Sequence, residues 1–312
     1  MPYTQLHAAE TQAELATKYV NADLIADKVC PVTPTARKLV RYWLHDRKNV
    51  NTISDSRMAP DGLPNRRSLV ATSTTAEVEP YGLSDTNPIS DLNDAEPGID
   101  IEADTIEFLT SDLLLGHEQR VATAMTTAAS YASANKVTLG TPWTSALSTP
   151  IADIQTGKRA CAVPPNIGVC DEATFDALAR HPDIISTLRG TSGTVNGLAT
   201  AEEIARYFGL EAVHVGRTKY NSANPTATAV YSTLWPSGRF LLAKVVQTPR
   251  AKEIVTARTY RYSGNPGGLT FNVVSVVQEE PGTQGVLFQK VTMDELVQLT
   301  AADTGYLISS AV

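Results

Sequence analysis

A chain of 312 residues, 42% hydrophobic and 19% charged, has the make-up of a folded globular protein, long enough for one compound domain or two intertwined ones. No apolar run is long enough to cross a bilayer, and the opening Met1-Pro2-Tyr3-Thr4-Gln5 lacks the basic-then-apolar layout of a signal peptide, so a cytosol-like compartment and no membrane partner are expected. The net charge of -7 argues against a dedicated nucleic-acid reader, and three cysteines (Cys30, Cys161, Cys170) without a CxxC pair argue against structural disulfides and zinc.

Charge is blocked along the chain. Between residues 28 and 67, nine basic side chains face only Asp46, Asp55 and Asp61, whereas residues 68–119 hold twelve acids and no Lys or Arg. Two readings follow: two solvated faces, or two surfaces that complement each other across subunit boundaries. Residues 49–65 are rich in turn formers (Asp55-Ser56, Pro60-Asp61-Gly62, Pro64-Asn65), which predicts a long extended hairpin or loop projecting as a two-stranded arm. After Pro97-Gly98, a helical pattern is expected over residues 101–134, with Ile106, Leu109, Leu113, Val121, Met125 and Ala128 inward and Gly116 its weakest point.

From Pro142 onward short helices and strands alternate. Pro150 opens a helix, residues 167–170 read as an apolar strand, and Asp171 caps a helix that must stop at His181 because Pro182 follows. Thr200-Ala201-Glu202-Glu203 has the capping-box pattern and Gly209 the terminator, before a strand over 212–216. The last third, with runs at 240–246, 252–262, 271–277, 286–291 and 306–312, is β in pattern.

Motifs for chemistry fail one by one. His117-Glu118-Gln119-Arg120 begins like a zinc-protease helix, but Val121 stands where the second histidine is needed. Gly157-Lys158 continues to Arg159 rather than Ser or Thr, and neither GxGxxG nor GxSxG occurs. His181-Pro182-Asp183 reads as a helix stop, and the acids at 68–119 lack a partner that would separate their pKa values in a recognisable pattern. No catalytic, cofactor or metal residues are expected, and the chain is read as not an enzyme.

One resemblance spans nearly the whole sequence. The run Ala22-Asp23-Leu24-Ile25-Ala26-Asp27-Lys28-Val29-Cys30-Pro31-Val32, then Lys38-Leu39-Val40-Arg41-Tyr42-Trp43, resembles the opening of tailed-bacteriophage major capsid proteins of the Hong Kong 97 fold. Arg57-Met58-Ala59-Pro60-Asp61-Gly62 and Tyr81-Gly82-Leu83 look like the two legs of that family's E-loop, and the helix through Glu118-Gln119-Arg120-Val121-Ala122 looks like its spine helix. The likeness continues through Trp143, Pro150-Ile151-Ala152-Asp153-Ile154, Pro165-Asn166, the Leu178 to Ile184 segment, Ile204 to Gly209, Val213 to Arg217 and Gly305-Tyr306-Leu307-Ile308.

The resemblance implies an α+β capsid protomer: N-terminal arm 1–40, extended E-loop hairpin 41–82, P domain with its long spine helix 83–147, A domain 148–250, P-domain strands 251–297 and an A-domain return strand 298–312. It implies an icosahedral shell of hexamers and pentamers enclosing double-stranded DNA without sequence-specific binding, in the virion and, during assembly, the host cytoplasm. Scaffolding and portal proteins are the implied partners, with a decoration protein as a further candidate. No long scaffolding segment is seen at the N-terminus, and Lys48 is the one lysine of the E-loop, read as exposed or salt-bridged rather than crosslinked. Arg57, Arg66 and Arg67 against Glu102, Asp104 and Glu107 form the expected intersubunit contact. An encapsulin nanocompartment of the same fold is the alternative reading, and a carboxylate-dependent cytosolic hydrolase the remote one.

Overall fold

Asp100 begins the element that organises the chain, accepting a hydrogen bond from the Ala103 N–H and placing Glu102 and Asp104 in a first helical turn where the backbone dipole favours acids. A computed structural model describes residues 24–45, 53, 55–58, 62–66, 72–94, 100–189, 197–223, 228–265, 268–279 and 285–312. In chain order, α1 (Ala26–Val29) leads into β1 (Val32–Thr35), β2 (Leu39–Leu44), β3 (Thr72–Glu77) and β4 (Glu79–Pro88). Helices α2 (Ile89–Asn93) and α3 (Ile101–Thr126) follow, then β5 (Lys136–Thr138), α4 (Pro150–Ala160), β6 (Ile167–Asp171), α5 (Glu172–Arg180), α6 (Pro182–Arg189) and α7 (Ala201–Phe208). The last third holds β7 (Ala212–Gly216), β8 (Lys219–Asn221), β9 (Tyr231–Thr233), β10 (Arg239–Ala243), β11 (Ala257–Tyr262), β12 (Phe271–Gln278), β13 (Val286–Leu299) and β14 (Tyr306–Ser309).

Two five-stranded sheets make an α+β architecture. The first runs β1-β11-β13-β12, with β4 on the other flank of β13. Strand β13 is long because it serves three partners: β4 pairs along Val286 to Glu295, while on the opposite side β12 gives way to β11. The second sheet runs β5-β14-β10-β6-β7, and its centre, β10, is buried over Phe240, Leu241, Leu242 and Ala243.

Helix α3 joins the sheets. Its first half packs Ile106, Leu109 and Leu113 on Phe271, Val273, Val291 and Met293 of the first sheet. Its second half packs Val121, Ala122 and Met125 beneath Ile167, Val169, Leu241 and Leu307 of the second. At about 1.5 Å per residue it is a rod of about 39 Å, unbroken at Gly116. It is shorter than the expected 101–134. The Thr126 and Thr127 hydroxyls donate back to the Ala122 and Thr123 carbonyls, and the Tyr131 hydroxyl and the Arg239 guanidinium satisfy the terminal carbonyls of Met125 and Thr126. Residues 128–130 and 133–135 continue only as short 3-10 turns, so Ala128 is exposed rather than inward.

The projecting hairpin also differs from expectation. Its paired legs are β2 and β3, in register Leu39 with Glu77 to Leu44 with Thr72. Described residues between them, such as Arg57 and Asn65, carry no strand; Asp55 instead ties the loop locally, its carboxylate accepting from Arg57 N–H and its carbonyl from Asn65 Nδ2, each at 3.0 Å. Residues 46–52, 54, 59–61 and 67–71, with Lys48 and Arg67, lie outside the described residues. Tyr81-Gly82-Leu83 belongs to β4, paired with β13, and is not a leg of the loop.

Gly157, buried in α4, sets how closely that helix meets the second sheet. A Cβ there would lie 2.6 Å from Tyr306 Cδ1 and 3.1 Å from Leu242 Cδ1. Alanine gains about 1 kcal/mol of helix propensity but forces overpacking that costs about 1–3 kcal/mol. Gly157→Ala is therefore expected to lower stability in urea unfolding; an unchanged or raised midpoint would show that the interface can open.

Candidate assembly surface and the buried ion cluster behind it

Asp104 and Glu107 lie one turn apart on the exposed flank of α3, with Glu102 half-buried beside them and Phe108, 66% exposed, on the same turn. Arg57 and Arg66 are exposed in the loop between β2 and β3, among the exposed apolar side chains Ile53, Met58 and Leu63. Arg57, Arg66, Asp104 and Glu107 are all exposed, and among the described residues no ion pair joins either arginine to Asp104 or Glu107. An apolar side chain ringed by acids, and a basic loop bearing apolar side chains, have complementary chemistry.

Behind that surface, the near-miss His117-Glu118-Gln119-Arg120 has structural work that the sequence pattern did not disclose. Glu295, fully buried on β13, receives Arg120 at 2.6 Å, His117 Nδ1 at 2.9 Å and Arg261 at 3.4 Å. Burial would push its carboxyl up, but the His117 hydrogen bond and charge, with Arg261 and Arg120, bring it down to about 2. His117 Nε2 reaches Asp27 of α1 at 3.2 Å. Burial works against the imidazolium, yet the bonds to Asp27 and Glu295 hold its pKa above the ordinary value. Asp27 is raised by burial and lowered more by His117 and Arg261, for a net fall.

Glu118 clips three parts of the chain together. Its carboxylate, fully buried, accepts from Ala26 N–H at 2.7 Å, Ile25 N–H at 3.1 Å and Trp235 Nε1 at 2.6 Å. Burial raises its pKa despite these donors. Arg120 lies 3.7 Å from the centroid of the Tyr81 ring, whose hydroxyl donates to Glu79. In the sequence these residues stand out only as the HExxH-like run His117-Glu118-Gln119-Arg120.

Ser148, His181 and Asp183 come together in a way that invites comparison with a hydrolase triad. His181 Nδ1 accepts from the Asp183 N–H at 3.2 Å, while Nε2 lies 3.0 Å from Ser148 Oγ and 3.2 Å from the Ser145 carbonyl. Nε2 therefore carries the proton, and Ser148 Oγ donates to Ser145 O at 2.8 Å, so the imidazole cannot serve as a base for that hydroxyl. His181 instead caps α6, with the Asp183 carboxylate 3.9 Å away. Among the described residues no group of three or more His, Cys, Asp or Glu could hold a metal, and no helix is long and apolar enough to cross a membrane.

A helix bridging two sheets, with a hairpin packed on the first sheet and an N-terminal helix clipped to the helix's middle, is the protomer of a Hong Kong 97-type capsid fold. Solved structures carry the same fold: a phage-related protein of Bordetella bronchiseptica superposes with a TM-score of 0.74 at 22% identity, over 97% of this chain and 96% of that one. The capsid protein of cyanophage P-SCSP1u gives 0.57 at 11% identity, over 94% and 90%, and an encapsulin of Synechococcus elongatus gives 0.51 at 9%, also over 94% and 90%. In sequence, the chain is 28% identical over 303 residues to the major capsid protein of Pseudomonas phage JBD67, covering 96% of this chain and 95% of that one. Residues 104–265, from the first turn of α3 to the end of β11 and just beyond, match the family described as phage major capsid protein E. The chain belongs to that family and is a structural protein of the virion.

Proposed function

We propose that copies of this chain close into an icosahedral shell of hexamers and pentamers around double-stranded DNA, with the basic loop of one subunit lying over the acidic flank of α3 in its neighbour. The observation that carries this is the outward-facing pair of complementary surfaces, Arg57 and Arg66 in the loop and Asp104, Glu107 and Phe108 on α3. The first sheet with α3 corresponds to a P domain (83–147 with 251–297) and the second to an A domain (148–250 with 298–312), with β5 joining the second sheet through β14. The arm is 1–40 and the E-loop 41–82 without its last four residues, since Glu79 onward belongs to β4, paired with β13. The work is mechanical, not catalytic, and an acidic protein lets enclosed DNA slide along the wall instead of gripping it. Scaffolding and portal proteins are the partners proposed for such a shell, with a decoration protein as a further candidate, and it assembles in the host cytoplasm. The family match and the relative of known role both belong to phages, which favours a virion shell over an encapsulin cage.

Each exposed ion pair is screened and weak alone, but a closed shell repeats it in every subunit. Arg66→Glu with Arg67→Glu is expected to cut the yield of closed shells several-fold in electron micrographs while leaving subunit melting unchanged. Salt should weaken wild-type assembly in the same direction, since the Debye length falls to about 3 Å near 1 M. Normal shell yield in the double variant would overturn the loop-on-helix contact, and cages filled with protein cargo instead of DNA would overturn the virion reading.

A further inference from the structure

We propose that His117 is a charge-dependent latch: doubly protonated, it holds the segment around α1 against the spine helix, and on losing one ring proton it lets that segment loosen. Both ring nitrogens face carboxylates, Nδ1 toward Glu295 at 2.9 Å and Nε2 toward Asp27 at 3.2 Å. A carboxylate only accepts, so both bonds exist together only when both nitrogens carry hydrogen. Remove one proton and a lone pair must face one of the two acids.

The surroundings decide which bond is lost. Glu295 is fully buried and binds Arg120 and Arg261 as well, so turning it away from its donors is costly. Asp27 is 59% exposed and can rotate into water. The remaining proton therefore stays on Nδ1, and α1 is released from the ring. The groups facing His117 are Asp27 from α1, Glu295 from β13 and Arg261 from β11, with Glu118 and Arg120 as its neighbours on α3. Cys30, the next titratable side chain, stays neutral because burial pushes its thiol up to about 12.

Helix α1 has four residues and cannot persist on its own. It is held by Asp27, by the Glu118 clip on the Ile25 and Ala26 amides, and by the burial of Ile25, Val29 and Cys30. Loss of the Asp27 bond loosens it without detaching it. The sign follows from the direction of each shift. His117, raised, contributes fully below its ordinary pKa of 6.5, and the contribution disappears as pH rises through its higher folded value. Asp27, lowered, contributes above its ordinary 3.8 and fails only on strong acidification. The latch is thus firm between the ordinary Asp27 and His117 values and opens as pH rises through the raised pKa of His117.

The test is amide hydrogen exchange on the full chain from pH 6 to 10, corrected for intrinsic rates, with the His117 ring titration followed by NMR. Protection of the amides of residues 26–30 should fall about tenfold across that titration, the low end of what a charge-assisted hydrogen bond contributes, while β10 stays unchanged. Asp27→Asn should abolish the step, because its amide can accept from the charged ring and donate to the neutral one. His117→Gln should show the loosened level at every pH. Should His117→Gln fail to fold, the exposed Asp27→Asn decides alone. Flat protection in the wild type, or a step that survives in Asp27→Asn, overturns the proposal.

Discussion

Glu295→Gln is expected to lose about 3–5 kcal/mol of unfolding free energy at pH 7, as breaking a buried ion cluster by removing one partner does. The substitution keeps the size of the side chain but leaves His117, Arg120 and Arg261 converging on a neutral amide that can accept from only one side. The same carboxylate makes stability depend on acid. Its folded pKa, about 2, lies below the ordinary 4.5, so its contribution is present above the ordinary value and is lost as pH falls from there toward 2. A shift of that size is worth about 3 kcal/mol in a group with no exposure to water. Urea unfolding of wild type and Glu295→Gln between pH 7 and 3 should show two curves that converge as pH drops. A variant within about 1 kcal/mol of wild type at pH 7 would mean that the cluster is offset by its own desolvation.

Glu118→Ala should cost about 2–4 kcal/mol, by a different route. Here no opposing charge is bonded to the carboxylate; three N–H donors are. Deleting the acceptor leaves the Ile25 and Ala26 amides and the Trp235 indole N–H buried without partners, at about 1–3 kcal/mol each before relaxation. Relief of the buried charge, visible in the raised pKa of Glu118, offsets part of that. Glu118→Gln should fall between the two, because one amide oxygen still accepts while its NH2 meets a donor. Trp235 also gives the readout, since its emission should shift to the red as the indole N–H loses its partner and water enters. Unchanged Trp235 fluorescence together with wild-type stability would place the clip outside the energetics of the fold.

What could be read from residue order alone was local. Asp171 accepting from Ala173 and Thr174 N–H, the reciprocal Thr200 and Glu203 bonds, Gly209 at φ +64° and the break between α5 and α6 at His181-Pro182 all depend on side chains within four positions of the backbone they serve. The inward stripe of α3 was legible for the same reason, as was the buried run at the centre of the second sheet. The family resemblance held because order and spacing persist where single motifs are weak.

The remainder depended on partners distant in sequence. Strand β4, with Pro80, Gly82 and Pro88 among acids, carries no strand pattern of its own; β13, about 200 residues later, supplies its hydrogen bonds, and an edge position tolerates its prolines. The end of α3 was set by Tyr131 and Arg239 reaching its last carbonyls, and the legs of the hairpin by pairing that the turn residues between them did not announce. His117 and Glu118 looked like a fragment of a metal motif, whereas Asp27, Glu295, Arg261 and Trp235, brought in from four other segments, make them an anchor. The amino-acid sequence determined that this is a phage capsid subunit of mixed α and β structure, because periodicity, caps and family spacing are properties of neighbouring residues. Only the tertiary structure decided which charges are buried and which face outward, because burial and pairing are settled by side chains that meet across the whole length of the chain.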